Sequence, residues 1–142
     1  MSTADDRLAD ALRAEHAAIF GYGPVGAHLD DATAPIAVTA ETAHRARRDA
    51  LVLRLSTKAA APAAESAYAL PFPVTDRASA LKLAVTIEER VAAAWRLALE
   101  ATTGDDRALA LDALDDCAVR AARARRSAGL TPSTVPMPGA PS

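Results

Sequence analysis

The residues of this sequence most able to do chemistry are acids and an imidazole standing on apolar helical stripes. Glu15 recurs at intervals of three and four with Leu8, Leu12, Ile19 and Tyr22, and Glu88 stands between Ala84 and Val91 on the stripe leading to Trp95. Such intervals mark one face of a helix. A carboxylate buried there without a partner is expensive, so each acid calls for a metal ion, a cation or a strong hydrogen-bond donor. Glu41-Thr-Ala-His44 adds a Glu-x-x-His pair. Two-metal carboxylate centres in helical bundles take one Glu from each of two helices and Glu-x-x-His from each of the other two. Glu15, Glu41, His44 and Glu88 thus offer a partial metal site, with iron or manganese as the ions suited to such donors. The fourth helix breaks the pattern, because His16, His28 and His44 are the only histidines and Asp112-Ala-Leu-Asp115 carries no imidazole. A carboxylate-bridged oxidase or hydroxylase would have to complete its shell with Asp112, Asp116 or water.

Counting along antiparallel helices gives a second solution. Folding the third and fourth helices about the corner near Gly104 sets Glu88 level with Val119 or Arg120, leaving Asp112 roughly 10 Å away at 1.5 Å per residue. The same construction about Asp31 sets Glu15 level with Arg48 and leaves Glu41 roughly 10 Å off. Guanidinium matches carboxylate with a two-pronged hydrogen bond and stays charged. The sequence therefore predicts a buried ionic network of Glu15, Arg48, Glu88, Arg120 and His44 where a di-metal protein would hold its ions, with no cofactor.

Four helices must position these groups. The first runs from Asp5 to about Leu29, with Pro24 expected to kink or end its last turns. Pro35 opens the second, which runs to about Thr57. Asp76 caps a third that stops near Gly104, and Asp105 and Asp106 begin a fourth, whose end is crowded by arginines before Gly129. Residues 58–75 hold Pro62, Pro71 and Pro73 and read as a long crossover with at most a short helix over Ala63–Ala69. The organisation is an all-α four-helix bundle over residues 5–130, made of two antiparallel hairpins joined by the crossover, which is ferritin-like connectivity. A proline-rich tail over 131–142 follows, expected to be extended or loosely tied.

Composition agrees with this class and narrows the function. The 142 residues are 51% hydrophobic but only 4% aromatic, with 38 alanines, which favours packed helices over sheet. A net charge of -2 and a basic run, Arg120 to Arg126, without interleaved aromatics argue against nucleic acid as a partner. No apolar stretch is long enough to span a membrane, no basic-then-apolar leader opens the chain, and Cys117 has no disulfide partner. These features predict a cytoplasmic protein. Gly21-Tyr-Gly-Pro-Val-Gly26 matches GxGxxG but sits late in a helix with no preceding strand, so it reads as close helix packing rather than a dinucleotide site. His16 and His28 face no nucleophile, and Cys117 reads as a small core residue.

Four stretches carry a resemblance over most of the chain, from Leu8 to Gly139. They are Glu15-His-Ala-Ala-Ile-Phe-Gly-Tyr-Gly, His44-Arg-Ala-Arg-Arg-Asp-Ala-Leu, Ala67-Tyr-Ala-Leu-Pro-Phe-Pro-Val-Thr-Asp and Ala118-Val-Arg-Ala-Ala-Arg. In order and spacing they resemble a small, mainly actinobacterial ferritin-like domain family of unknown function. The resemblance implies a ferritin-like bundle that forms a dimer and implies no activity. The missing second Glu-x-x-His departs from functional di-iron relatives. The expected function is a non-catalytic bundle with a degenerate metal site; the alternatives are an iron or manganese oxidase and a scaffold binding a protein partner through tail or crossover. A homodimer is further expected from Leu70 to Val74, whose apolar side chains would form an exposed patch on a monomer.

Overall fold

A computed structural model describes residues 2–58 and 61–141. Four helices account for most of them: α1 Thr3–Ala27, α2 Ala34–Ser56, α3 Arg77–Ala101 and α4 Gly104–Ser127. The boundaries follow from capping chemistry. Ser2 and Asp5 form a reciprocal capping box at the start of α1, Asp76 and Ser79 form another at α3, and Pro35 occupies the first turn of α2. Pro24 lies inside α1, which ends one turn later. At the sharp corner between α3 and α4, Gly104 adopts φ +58, a value that glycine reaches without the strain of a side chain.

Each helix buries an alanine- and leucine-rich stripe in one common core around Trp95 and Tyr22. Helix α1 packs against both α2 and α3, and α3 against α4. Contacts between residues identify the directions. Glu15 meets Trp95 while Tyr22 meets Glu88, so α1 and α3 are antiparallel. Since α2 is also antiparallel to α1, the end of α2 and the start of α3 lie at opposite ends of the bundle, as a long crossover requires. Arg47 bonds Asp116 at 2.6 Å and Arg54 bonds Asp106 through two nitrogens, tying α2 to α4 at the surface. Gly21 lets α1 and α3 approach closely, since a Cβ there would fall 2.7 Å from the Ile87 Cδ1 atom. The GxGxxG stretch is therefore a packing feature within α1.

Two expectations about the connections are corrected. The described part of the crossover contains no short helix, and it lies on its own bundle. A ring nitrogen of His16 bonds the Pro62 carbonyl at 2.9 Å, Phe20 and Tyr68 pack with ring centroids 5.4 Å apart, and Leu70, Phe72 and Val74 rest half-buried against the core. The apolar side chains from Leu70 to Val74 are thus partly covered from within the chain. The tail is docked rather than loose: Arg125 donates to the Ser133 carbonyl at 3.3 Å and Arg96 to that of Pro138 at 3.4 Å. Gly139, at φ +76, lies so close to α3 that a Cβ would fall 2.6 Å from the Ala92 carbonyl oxygen. Proline content signals the absence of a helix but says nothing about docking.

Candidate functional site

One side chain from each helix meets at the centre of the bundle: Glu15 from α1, His44 from α2, Glu88 from α3 and Arg120 from α4. The first three are 0% exposed. The imidazole of His44 spans the two acids, with Nδ1 2.5 Å from Glu15 Oε2 and Nε2 2.8 Å from Glu88 Oε1. Arg120 Nε donates to the same Glu88 oxygen at 3.0 Å. Two aromatic residues complete the set: Tyr22 donates its hydroxyl to Glu88 Oε1 at 2.7 Å, and the Trp95 indole N–H donates to Glu15 Oε1 at 2.8 Å. Tyr22 also stacks on the His44 ring with centroids 5.7 Å apart.

The electrostatics close within this group. Burial disfavours the charged imidazolium, but hydrogen bonds to Glu15 and Glu88 and their negative charges outweigh it and raise His44 from 6.5 to about 9. His44 is therefore an imidazolium at neutral pH, donating from both nitrogens. Burial also disfavours the Glu88 carboxylate, yet His44, Arg120 and Tyr22 together hold it below the usual carboxylate range. Two carboxylates thus face one imidazolium and one guanidinium, a neutral set. Burial, then the adjacent Glu88 charge, pushes the Tyr22 hydroxyl well up, so it remains a donor. Burial likewise keeps the Cys117 thiol protonated, and Cys117 sits in the core as expected of a small apolar residue.

The predicted site residues fare unequally. Glu15, His44, Glu88 and Arg120 come together. Arg48 does not join them; its Nε bonds Asp49 at 2.8 Å on the surface. His44 lies one helical turn before Arg48 and hence on the same face, so a slip of one turn exchanged the partner of Glu15 while preserving the face. Glu41 is also outside the site, its side chain 35% exposed and paired with Arg45 at 2.6 Å. Asp112 and Asp115 are exposed, and Asp116 serves Arg47. Tyr22 and Trp95 are the functional residues the sequence reasoning missed. The signal was present: each lies seven residues after an acid, Tyr22 after Glu15 and Trp95 after Glu88, and each carries a polar handle on an otherwise apolar stripe.

A di-metal ion pair finds little to bind here. A ligating histidine offers a lone pair to the ion, whereas both His44 nitrogens lie within hydrogen-bonding distance of carboxylates. Three donors already occupy Glu88 Oε1, and Glu88 Oε2 is the one oxygen of the two acids without a donor. Among the described residues no three His, Cys, Asp or Glu side chains are arranged to hold a metal ion. None of the described helices is long and apolar enough to cross a membrane.

Comparison with known proteins agrees with the fold and adds no activity. The structure is similar to the crystal structure of a conserved hypothetical protein from Mycobacterium tuberculosis, with a TM-score of 0.88 and 40% sequence identity over 96% of this chain and 98% of that one. No curated protein matches. A family model, that of a domain of unknown function designated DUF4439, matches residues 7–142.

Proposed function

We propose, for a chain that belongs to the DUF4439 family of domains of unknown function, a non-catalytic role in which a buried Glu–His–Glu–Arg cluster takes the place of a metal centre. The observation that carries this reading is the double engagement of His44: both ring nitrogens are committed to carboxylates, at 2.5 and 2.8 Å. The protonated ring supplies the positive charge an ion would otherwise supply, and Arg120 adds the second. The arrangement also lacks the parts of an acid–base catalyst. Each charged group of the cluster is neutralised by another, and among the described residues no nucleophile with an adjacent base is exposed at the site. The bundle is best read as a degenerate member of the ferritin-like class, and its function then resides in what its outer surface binds.

The oxidase alternative requires Glu41 to turn inward and His44 to lose its proton. Elemental mass spectrometry of untagged protein, expressed with iron and manganese supplements, separates the two. The expected result is a folded protein with metal far below one ion per chain and a thermal midpoint unchanged by a chelator. Near-stoichiometric metal that disappears in both Glu15→Ala and Glu88→Ala would overturn the proposal.

A further inference from the structure

The arginines near the end of α4 face the first turns of α2 across a recess that the buried cluster does not explain. A cavity of about 210 Å³ is lined by Tyr22, Thr39, Arg120 and Arg123 together with the apolar Pro35 and Ile36. A shallower depression continues from Ile36 and Arg123 to Arg126 and Ser127. The distinguishing feature of this place is that two arginines line one cavity. Many arginines elsewhere pair with acids, Arg13 with Asp10, Arg45 with Glu41, Arg47 with Asp116 and Arg54 with Asp106, whereas exposed Arg90 and Arg107 make no ion pair among the described residues and line no shared recess with a second arginine. Among the described residues, Arg123 and Arg126 make no ion pair with an acid. The first turn of α2 holds no acid, and the acid at its start, Asp30, accepts from the Thr33 backbone N–H at 3.0 Å. Arg120 uses Nε on Glu88 and places another nitrogen 3.6 Å from the Cys117 sulfur, which leaves a third guanidinium nitrogen without an acceptor among the described residues.

We infer that this recess binds a small organic carboxylate. Arg123 and the spare nitrogen of Arg120 line one cavity and suit a carboxylate in charge and in the N–H groups they offer, and Pro35 and Ile36 offer a short carbon body a place out of water. The cavity is too confined for a polymer, and its one aromatic lining residue, Tyr22, is buried and so offers no platform of the kind single-stranded nucleic acid uses. Because Arg120 belongs both to the recess and to the Glu88 cluster, the ligand would sit one side chain away from His44.

The test titrates the full, isotope-labelled chain with n-butyrate and, separately, with n-butanol, which keeps the carbon body and lacks the charge. Amide resonances of Ile36, Thr39 and Arg123 report binding. The expected result is saturating shifts with butyrate at a Kd on the order of 1 mM and at least about tenfold weaker response to butanol. Arg123→Gln, a change at an exposed position that leaves folding intact, should weaken butyrate about tenfold, while Arg13→Gln should leave it unchanged. Shifts that fail to saturate, equal responses to both probes, or full butyrate affinity in Arg123→Gln would each overturn the assignment.

Discussion

Raising the pH should destabilise this protein through His44. The ring holds its proton to about pH 9 in the fold and to about pH 6.5 in the unfolded chain. Because the folded value is the higher one, the stabilisation is fully present below pH 6.5 and is lost as pH rises toward 9. In that interval the unfolded chain has released a proton that the folded chain keeps, so stability falls by about 1.4 kcal/mol per pH unit, a loss of about 3 kcal/mol in all. With a urea m-value of about 2 kcal/mol per M, the unfolding midpoint drops by about 1.5 M. Far-UV circular dichroism across urea series at several pH values measures it. Cys117, kept protonated by burial, adds a loss of the same sign above about pH 8.5, so the His44 slope is read between pH 6.5 and 8. On the acid side the lowered Glu88 works in reverse: its contribution is present above the usual carboxylate range and disappears as pH falls through it. The result is a plateau between about pH 5 and 6.5. A flat midpoint from pH 6.5 to 8, or an identical slope in His44→Gln, would refute the imidazolium reading.

Other outcomes follow from the distribution of donors. Trp95→Phe should cost about 1–3 kcal/mol, because Glu15 Oε1 accepts from Trp95 alone and would be left buried without a donor. Tyr22→Phe should cost less, about 1 kcal/mol, since His44 and Arg120 still serve Glu88 Oε1; the reverse order in chemical denaturation would contradict the assigned geometry. Gly139→Ala meets the Ala92 carbonyl oxygen and a left-handed backbone at once, a strain of about 1–3 kcal/mol. It should release the tail, seen as faster proteolytic clipping after residue 130 with the four helices intact, and an unchanged clipping rate would show that Gly139 does not hold it.

The sequence reveals a large part of this arrangement and conceals the rest for identifiable reasons. Helical periodicity identifies faces, so Glu15, His44 and Glu88 were legible as inward-facing, and the tight corner at Gly104 made the level of Glu88 with Arg120 countable. The pairing of Glu15 was not countable in the same way. Between α1 and α2 the chain passes through six residues outside either helix, 28–33, and a shift of one turn in that connection substitutes His44 for Arg48 without altering the pattern. Glu41 illustrates the limit of motif spacing: Glu-x-x-His places both side chains on neighbouring faces, and here only the histidine points to the core. Periodicity also treats Tyr22 and Trp95 as apolar, which hides their N–H and O–H groups. The docked tail depends on Gly139 meeting α3, a contact between residues far apart in sequence that local composition does not encode.

The placement of one charged side chain on each helix bears on the order in which the bundle can assemble. Glu15 and His44 lie in the first hairpin and Glu88 and Arg120 in the second, so each hairpin brings its own cation to its own anion. The buried ion pair of either hairpin can leave water as a neutral unit, before the crossover has closed the long loop between them. The search for the docked arrangement then proceeds between halves whose buried charges are already paired, and the cluster's remaining bonds, from Tyr22, Trp95 and the second nitrogen of His44, form across the seam and select the register in which the halves join.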